Sequence, residues 1–328
     1  VHYPEEVVDE LENFEFEYTK FGVRYCVEPS TPILTKDLRW VTAGSLRSGD
    51  QLLAFDEQPE PGRKARSWRS AMVTDAAEIF RPCYRITMVD GTVMTASQEH
   101  LWLIETAGRL AWRQTSDLKG LHPSSRSLRY APTRIVKLVD MWDSPDTYAA
   151  GYLAAAFDGE GTISQRIRND HHGHGARLTF AQRENAMAQQ VRYYLDRMGF
   201  SWSEHWGASS CGAFGLTGRR HEFLRFLGQV RPRRLLASFK PNQLGTLEAK
   251  ACVAVASLEF LGDRPVIAMG TTTRTLIAHG FASHNSAPEG FHDDKVMALA
   301  LANQHRTHAK LPLVISDEVL AQSAMRGH

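Results

Sequence analysis

The chain has 328 residues, 43% hydrophobic and 23% charged, which is ordinary for a globular protein with room for two or three domains. No apolar run approaches the roughly 18 residues of a membrane span. The acidic opening VHYPEEVVDELENFEFEYTK has no signal-peptide layout, and Cys26, Cys83, Cys211 and Cys252 form no CxxC pair, so a reducing cytoplasm is expected. The net charge of +1 hides an asymmetry: from Thr162 to Lys240 thirteen basic side chains stand against five acidic ones, which suits a polyanionic partner.

In chain order, residues 1–25 read as a fragment, a short helix from Glu5 to Phe14 and a strand pair near Lys20–Gly22 that cannot bury a core alone. From Cys26 to about Leu121 short segments such as PILT, DQLLAFDE and CYRITMV read as strands, and Asp90-Gly91 predicts a two-residue hairpin before TVMTAS. From about Ser144 the texture is mixed. TYAAGYLAAAFDG reads as a helix, TISQRIR and ARLTFAQ as strands, and NAMAQQVRYYLDRMG as an amphipathic helix stopped by Gly199. FSWSEHWG and GAFGLTG read as strands and HEFLRFLGQV as another helix. RPVIAMG and TRTLIAHGFAS then return to short strands, with a turn at His279-Gly280. A β domain interrupted by an α+β insertion is the economical arrangement.

Reactive residue types stand where the texture changes, at Tyr25–Cys26 and Asn285–Ser286. The Cys26 thiol can attack the preceding carbonyl to give a thioester. The Asn285 side-chain nitrogen can attack its own main-chain carbonyl, forming a succinimide and cutting the chain, with His284 placed to move the proton. The Ser286 hydroxyl can take the acyl group. In GTVMTASQEH, His100 can protonate the departing nitrogen of Cys26, and Ser97 or Thr95 can orient it.

CVEPSTPILTKDLRWVTAGSLRSGDQLLAFDE, GTVMTASQEH and TRTLIAHGFASHNS resemble, in order, the splicing blocks of inteins, with Ser97 where the second block usually has Thr. The resemblance implies an all-β Hedgehog/intein (HINT) splicing domain over Cys26–Asn285 that needs no cofactor. It assigns splicing roles to Cys26, Ser97, His100, His284, Asn285 and Ser286. The acid that inteins often carry before the last block is replaced by Ile267, and His279 is the expected substitute.

GYLAAAFDGEGTIS resembles the LAGLIDADG motif of homing endonucleases, which implies an α+β domain of order αββαββα inserted in the splicing domain. By that resemblance Glu160, and less so Asp158, would hold Mg²⁺ beside a scissile phosphate of double-stranded DNA. Gln165, Arg166, Arg168, Arg177, Thr179 and Gln182 are the candidate groove contacts. Arg219, Arg220, Arg231, Arg233, Arg234 and Lys240 suit phosphates. A single motif implies a homodimer through its helix, where Gly151, Ala154 and Ala155 permit close approach; a degenerate relic that no longer cuts is the alternative. The flanks, read across the gap, resemble the nuclease domain of a phage terminase large subunit, with Asp293 or Asp294 as a metal-binding acid and an infected cell's cytoplasm as the location. The expected bounds are 1–25 and 286–328 for these flanks, 26–130 and 263–285 for the splicing domain, and 131–262 for the insertion. The competing reading is a DNA-binding protein whose β domain is an inert scaffold.

Overall fold

Alternation of apolar and polar residues around short turns makes the segments on either side of the helical region β, and the computed structural model of the chain, which describes residues 26–122, 131–166, 175–207 and 210–285, is mostly strand. The first half supplies β1 (Cys26–Val27), β2 (Pro32–Leu34), β3 (Trp40–Thr42), β4 (Gln51–Phe55), β5 (Trp68–Met88), β6 (Val93–Ser97), β7 (Leu101–Thr106), β8 (Arg109–Gln114) and β9 (Arg134–Lys137). The helical region contains α1 (Tyr148–Glu160), β10 (Gly161–Arg166), β11 (Gly175–Arg183), α2 (Ala186–Arg197), β12 (Trp202–Trp206), β13 (Cys211–Leu216), α3 (Arg219–Val230) and α4 (Arg233–Ser238). The chain closes with β14 (Ala251–Thr271), β15 (Thr275–Ala278) and β16 (Phe281–His284).

The outer strands form one twelve-stranded sheet in the order β3-β2-β15-β16-β7-β9-β14-β1-β6-β5-β4, with β8 on β7. Its spine is the antiparallel pair β5–β14, each strand 21 residues long. The ends of this ribbon are buried, while its middle projects: Phe80 is 69% and Phe260 58% exposed.

Turn chemistry fixes the register. At β15–β16 Ala278 faces Phe281, and His279 and Gly280 both have positive φ, 51° and 86°, the two-residue turn whose twist matches the strands. Every residue of β15 and β16 is buried. The expected two-residue turn at Asp90-Gly91 is instead a three-residue loop: Gly91 N–H donates to Met88 O at 3.0 Å and only Gly91 takes positive φ, 85°. Asp90 stays in the ordinary region because a type I turn followed by one left-handed glycine also suits the strand twist.

Strand pairing draws the insertion's limits inward from the expected 131 and 262. β9 pairs with β14 over Lys137–Ala251 to Arg134–Ala254, so Arg134–Lys137 and Ala251–Gly262 belong to the large sheet. RPVIAMG, read as a short strand from Arg264, is the last part of β14, which continues upstream through Gly262 and Asp263 past an irregularity at Phe260/Gly262.

Between those strands the elements run helix, hairpin, helix, hairpin, helix, as expected, with the short α4 added. β10-β11-β13-β12 is a four-stranded antiparallel sheet. Leu178, Phe180 and Phe214 are buried on one face of it, with Phe157 of α1 stacked on Phe180 at 5.3 Å between ring centroids. The apolar core continues into the β domain through Trp142 and Leu38. Gly228 is required there: a Cβ at this position of α3 would fall 2.3 Å from Trp142 Nε1. Arg231, the left-handed cap of α3 (φ 60°), donates to Asp37 Oδ2 at 3.0 Å and fastens the two parts together. No helix among the described residues is long and apolar enough to cross a membrane.

Candidate functional site

β1 inserts between β14 and β6, with Cys26 opposite Ala268 and Val27 opposite Ala96. Cys26 is fully buried, and its N–H donates to Ser97 Oγ at 3.4 Å. Ser97, rather than Thr95, therefore supplies the hydroxyl at this seam. Ser97 ends β6, and one turn later His100 N–H donates to Ser97 O at 3.1 Å.

His100 is 1% exposed, and its Nε2 lies 2.6 Å from Ser283 Oγ, a residue 183 positions away. Burial, reinforced by nearby His284, pushes its pKa down to about 3. The ring is therefore neutral at neutral pH. Its Nδ1 has no hydrogen-bond partner among the described residues.

β16 brings in the second seam beside the first. Ser283 pairs with Trp102 of β7, the strand that His100 precedes. His284 is buried; its Nε2 lies 2.8 Å from Glu57 Oε1, and its ring stands edge-on to Trp112 at 5.0 Å. The hydrogen bond from His284 holds the Glu57 carboxyl below its ordinary pKa, against the opposing effect of burial and with help from Arg274 and Arg66. Asn285 is 1% exposed, and its N–H donates to Arg274 O at 3.0 Å. Thr271 Oγ1 lies 3.0 Å from Asn285 Oδ1, while Asn285 Nδ2 has no hydrogen-bond partner among the described residues.

The structure thus brings Cys26, Ser97, His100, His284 and Asn285 together from β1, β6, β7 and β16. It does not bring His279 there. Thr275 faces His284 across the hairpin, which leaves His279 at the opposite end of β15–β16, where its N–H donates to Pro32 O and burial lowers its pKa to about 4. Its residue type answers a need of the turn rather than of the seam. The acid beside the seam is Glu57, which was hidden in sequence inside a polar loop. Ile267 is buried opposite Val27. Ser286, Asp293 and Asp294 lie outside the described residues, as do both flanking segments and Arg168.

In the helical unit Glu160 ends α1 and is exposed. Asp158 is committed elsewhere: its carboxylate accepts from Arg233 N–H at 2.7 Å and Arg234 N–H at 2.9 Å, capping α4. No group of three or more metal-ligating side chains occurs among the described residues. Gly151 and Ala155 share an exposed face of α1, and Tyr148 is 76% exposed.

Several expected nucleic-acid contacts have internal work instead. Arg234 donates to the carbonyls of Asp158, Phe157 and Gly161, where cationic charge complements the end of α1. Arg220 is held by Thr246 O and Glu248, and Arg231 by Asp37. Gln165 bonds the Lys240 backbone, and Gln182 shares the helix-covered face with Leu178 and Phe180, where its Nε2 reaches Met187. The side chains of Arg166 and Arg219 are outside the described set. Arg177, Thr179, Arg233 and Lys240 are exposed. Register places Thr162, Thr179, Gly215 and Ser203 in one row of the open sheet face, and Ala181, Ala213 and His205 in the next. Ser164 and Arg177 pair on the same face, as do Arg183 and Cys211. Arg183, Ser203 and His205, which the sequence did not single out, share this open face.

No protein-family model matches the chain. Among curated proteins, the replicative DNA helicase DnaB of Mycobacterium intracellulare is 36% identical over 87 residues, 26% of this chain and 13% of that protein. The replicative DNA helicase DnaB of Mycobacterium leprae (strain TN) is 36% identical over 83 residues, 25% of this chain and 12% of that protein. The matched stretch is thus a small part of these relatives. Among solved structures, a DnaB intein from Synechocystis sp. PCC 6803 is similar over 80% of this chain and 99% of its own, at 10% identity and a TM-score of 0.36. The gp41-1 intein is similar over 80% of this chain and 98% of its own, at 11% identity and a TM-score of 0.32.

Proposed function

We propose that residues 26–285 are an intein that excises itself and joins Tyr25 to Ser286. The observation that carries this reading is the meeting of the two seams. Cys26 and Asn285 lie at opposite ends of the segment, yet Ser97 holds the Cys26 N–H, and His100, one turn on, contacts Ser283, two residues before Asn285. Packing alone does not require a thiol, a neutral buried imidazole and a buried primary amide at one point.

In this scheme Cys26 Sγ attacks the Tyr25 carbonyl carbon and the peptide nitrogen takes the thiol proton. Ser97 accepts a hydrogen bond from that nitrogen, and buried, neutral His100 acts beside it. Ser286 Oγ then attacks the thioester and the Cys26 thiolate leaves. Asn285 Nδ2 closes on its own carbonyl carbon, releasing Ser286 N. The remaining ester moves to that amine as an amide. Mass spectrometry of the expressed chain tests this: a product joining residues 1–25 to 286–328 is expected, while Cys26→Ala with Asn285→Ala leaves only the 36.8 kDa chain. Absence of the joined product from the parent chain under all conditions sinks the reading in favour of an inert scaffold.

We further propose that the helical unit is a LAGLIDADG endonuclease that binds double-stranded DNA across its open sheet face. That face carries Arg177, Arg183 and His205 among small residues, and its register positions include no acid among the described residues. Such a surface suits a groove of DNA. One exposed carboxylate, Glu160, does not make a Mg²⁺ site alone; pairing two copies along the exposed Gly151–Ala155 face of α1 would bring two together. The proposed target is the intein-less form of the flanking gene, a terminase gene if the sequence resemblance of the flanks holds. Incubating purified protein with this DNA and Mg²⁺ tests it. Binding without nicking or cleavage would mark a degenerate relic.

A further inference from the structure

Glu57 lies two residues beyond β4, in a loop whose sequence EQPEPGRKARS advertises only solvent. Yet its backbone is pinned on two sides: its carbonyl accepts from Arg66 Nε at 3.0 Å and Trp112 Nε1 at 3.2 Å. The reason it reaches the second seam is the hydroxyl of Thr275, which bonds both the N–H and the carbonyl of Phe55. Thr275 faces His284 across the hairpin, so fastening Phe55 to Thr275 delivers Glu57 to the imidazole. Trp112 closes the other side, standing edge-on to His284 and stacked on Phe55 at 6.2 Å.

We propose that Glu57 is a positioning residue for cleavage at Asn285, a proposal that rests on the splicing reading above. With Nε2 engaged by the carboxylate, the ring's other nitrogen, Nδ1, is the one that moves the proton. As Asn285 Nδ2 bonds to its own carbonyl carbon it sheds one proton. As that carbon's bond to the Ser286 nitrogen breaks, the nitrogen gains one. Nδ1 takes the first and delivers the second, and between the two events an imidazolium stands against Glu57. Atoms and charge balance without a co-reactant. The other groups facing this pair are Arg274, with Nη1 3.8 Å from Glu57 Oε2, Arg66 behind the carboxylate, and neutral His100.

The test uses the full chain carrying Cys26→Ala, so that only cleavage at Asn285 is followed, over a range of pH. Adding Glu57→Gln should slow cleavage by roughly tenfold or more and move the pH of half-maximal rate downward, because the imidazolium loses its counter-charge. Glu57→Asp, which keeps the charge, should hold the pH profile in place. Coincident rates and profiles for Glu57→Gln and its parent overturn the proposal, as does a slower Glu57→Gln whose profile has not moved, since that is a scaffold effect. An independent readout is the ¹⁵N spectrum of His284 in the uncleaved Asn285→Ala chain: a proton on Nε2 is expected, and a bare Nε2 with the proton on Nδ1 overturns the proposal. If the Cys26→Ala parent never cleaves at Asn285, the splicing reading falls first and this proposal with it.

Discussion

Acid should unfold this protein through His100, and the size of the effect follows from its burial. An unfolded chain binds a proton at this residue below about pH 6.5, whereas the folded chain excludes it until about 3. Protons therefore favour the unfolded state throughout that window, so stability is complete above pH 6.5 and falls as pH drops toward 3. Between pH 7 and pH 5 the loss is about 2 kcal/mol, set almost wholly by the unfolded value because the folded ring stays neutral across the interval. His279, lowered to about 4 by burial, acts in the same direction but is less enclosed. Urea denaturation of the Cys26→Ala, Asn285→Ala chain at pH 7 and pH 5, followed by tryptophan fluorescence, measures the loss. In the same background His100→Leu should remove about 2 kcal/mol of the pH 7 to pH 5 difference, whatever it does to stability at pH 7. If the His100→Leu chain keeps the full difference, the argument from desolvation is wrong.

Gly228→Ala places a Cβ against the Trp142 indole and should destabilise the chain by about 1–3 kcal/mol, read as a lower urea midpoint. If the open sheet face binds DNA, Arg177→Ala and Arg183→Ala should each reduce the slope of log affinity against log salt by about 1. Arg231→Ala should leave that slope alone and lower stability instead, because its guanidinium is spent on Asp37; equal slopes for all three variants would refute the assignment.

Residues whose chemistry is local were legible in sequence. A left-handed His279-Gly280 turn, a helix stopped by Gly199 at φ 64° and a cysteine opening a strand depend on neighbours one to four positions away. What escaped depends on distance. Glu57 and His284 are 227 positions apart, and nothing in EQPEPGRKARS distinguishes an acid that enters the core from one in solvent. The basic count of the helical region was correct as a sum but silent on direction. It could not separate Arg234, which satisfies three carbonyls at the end of α1, from Arg177 on the open face. Gln182, named with Arg177 and Thr179 in sequence, lies on the opposite face of β11, as the two-residue alternation of a strand requires. β14 looked shorter than it is because the exposed middle of a long ribbon has the composition of a loop.

The helical unit sits where it leaves the strands around the two seams undisturbed. β9 and β14 pair antiparallel with Lys137 opposite Ala251, and Lys250 N–H donates to Lys137 O at 2.8 Å, so the helical unit leaves and re-enters the sheet at adjacent residues. The path through β1, β6, β7 and β16 that assembles the two seams does not pass through it. An insertion whose ends meet costs little loop-closure entropy and imposes no strain on its host. Replacing residues 144–240 by a Gly/Ser linker should therefore preserve cleavage at Asn285, with residues 242–247 kept because they pair with residues 66–70 and Trp142 kept because its indole N–H reaches Leu38 O at 3.4 Å and joins the core of the β domain. Thermal stability should fall, since the buried aromatic cluster of the helical unit is continuous with that core. A shortened chain that folds, as judged by circular dichroism, yet cannot cleave would mean that the helical unit shapes the seam itself, and the independence argued from strand pairing would be wrong.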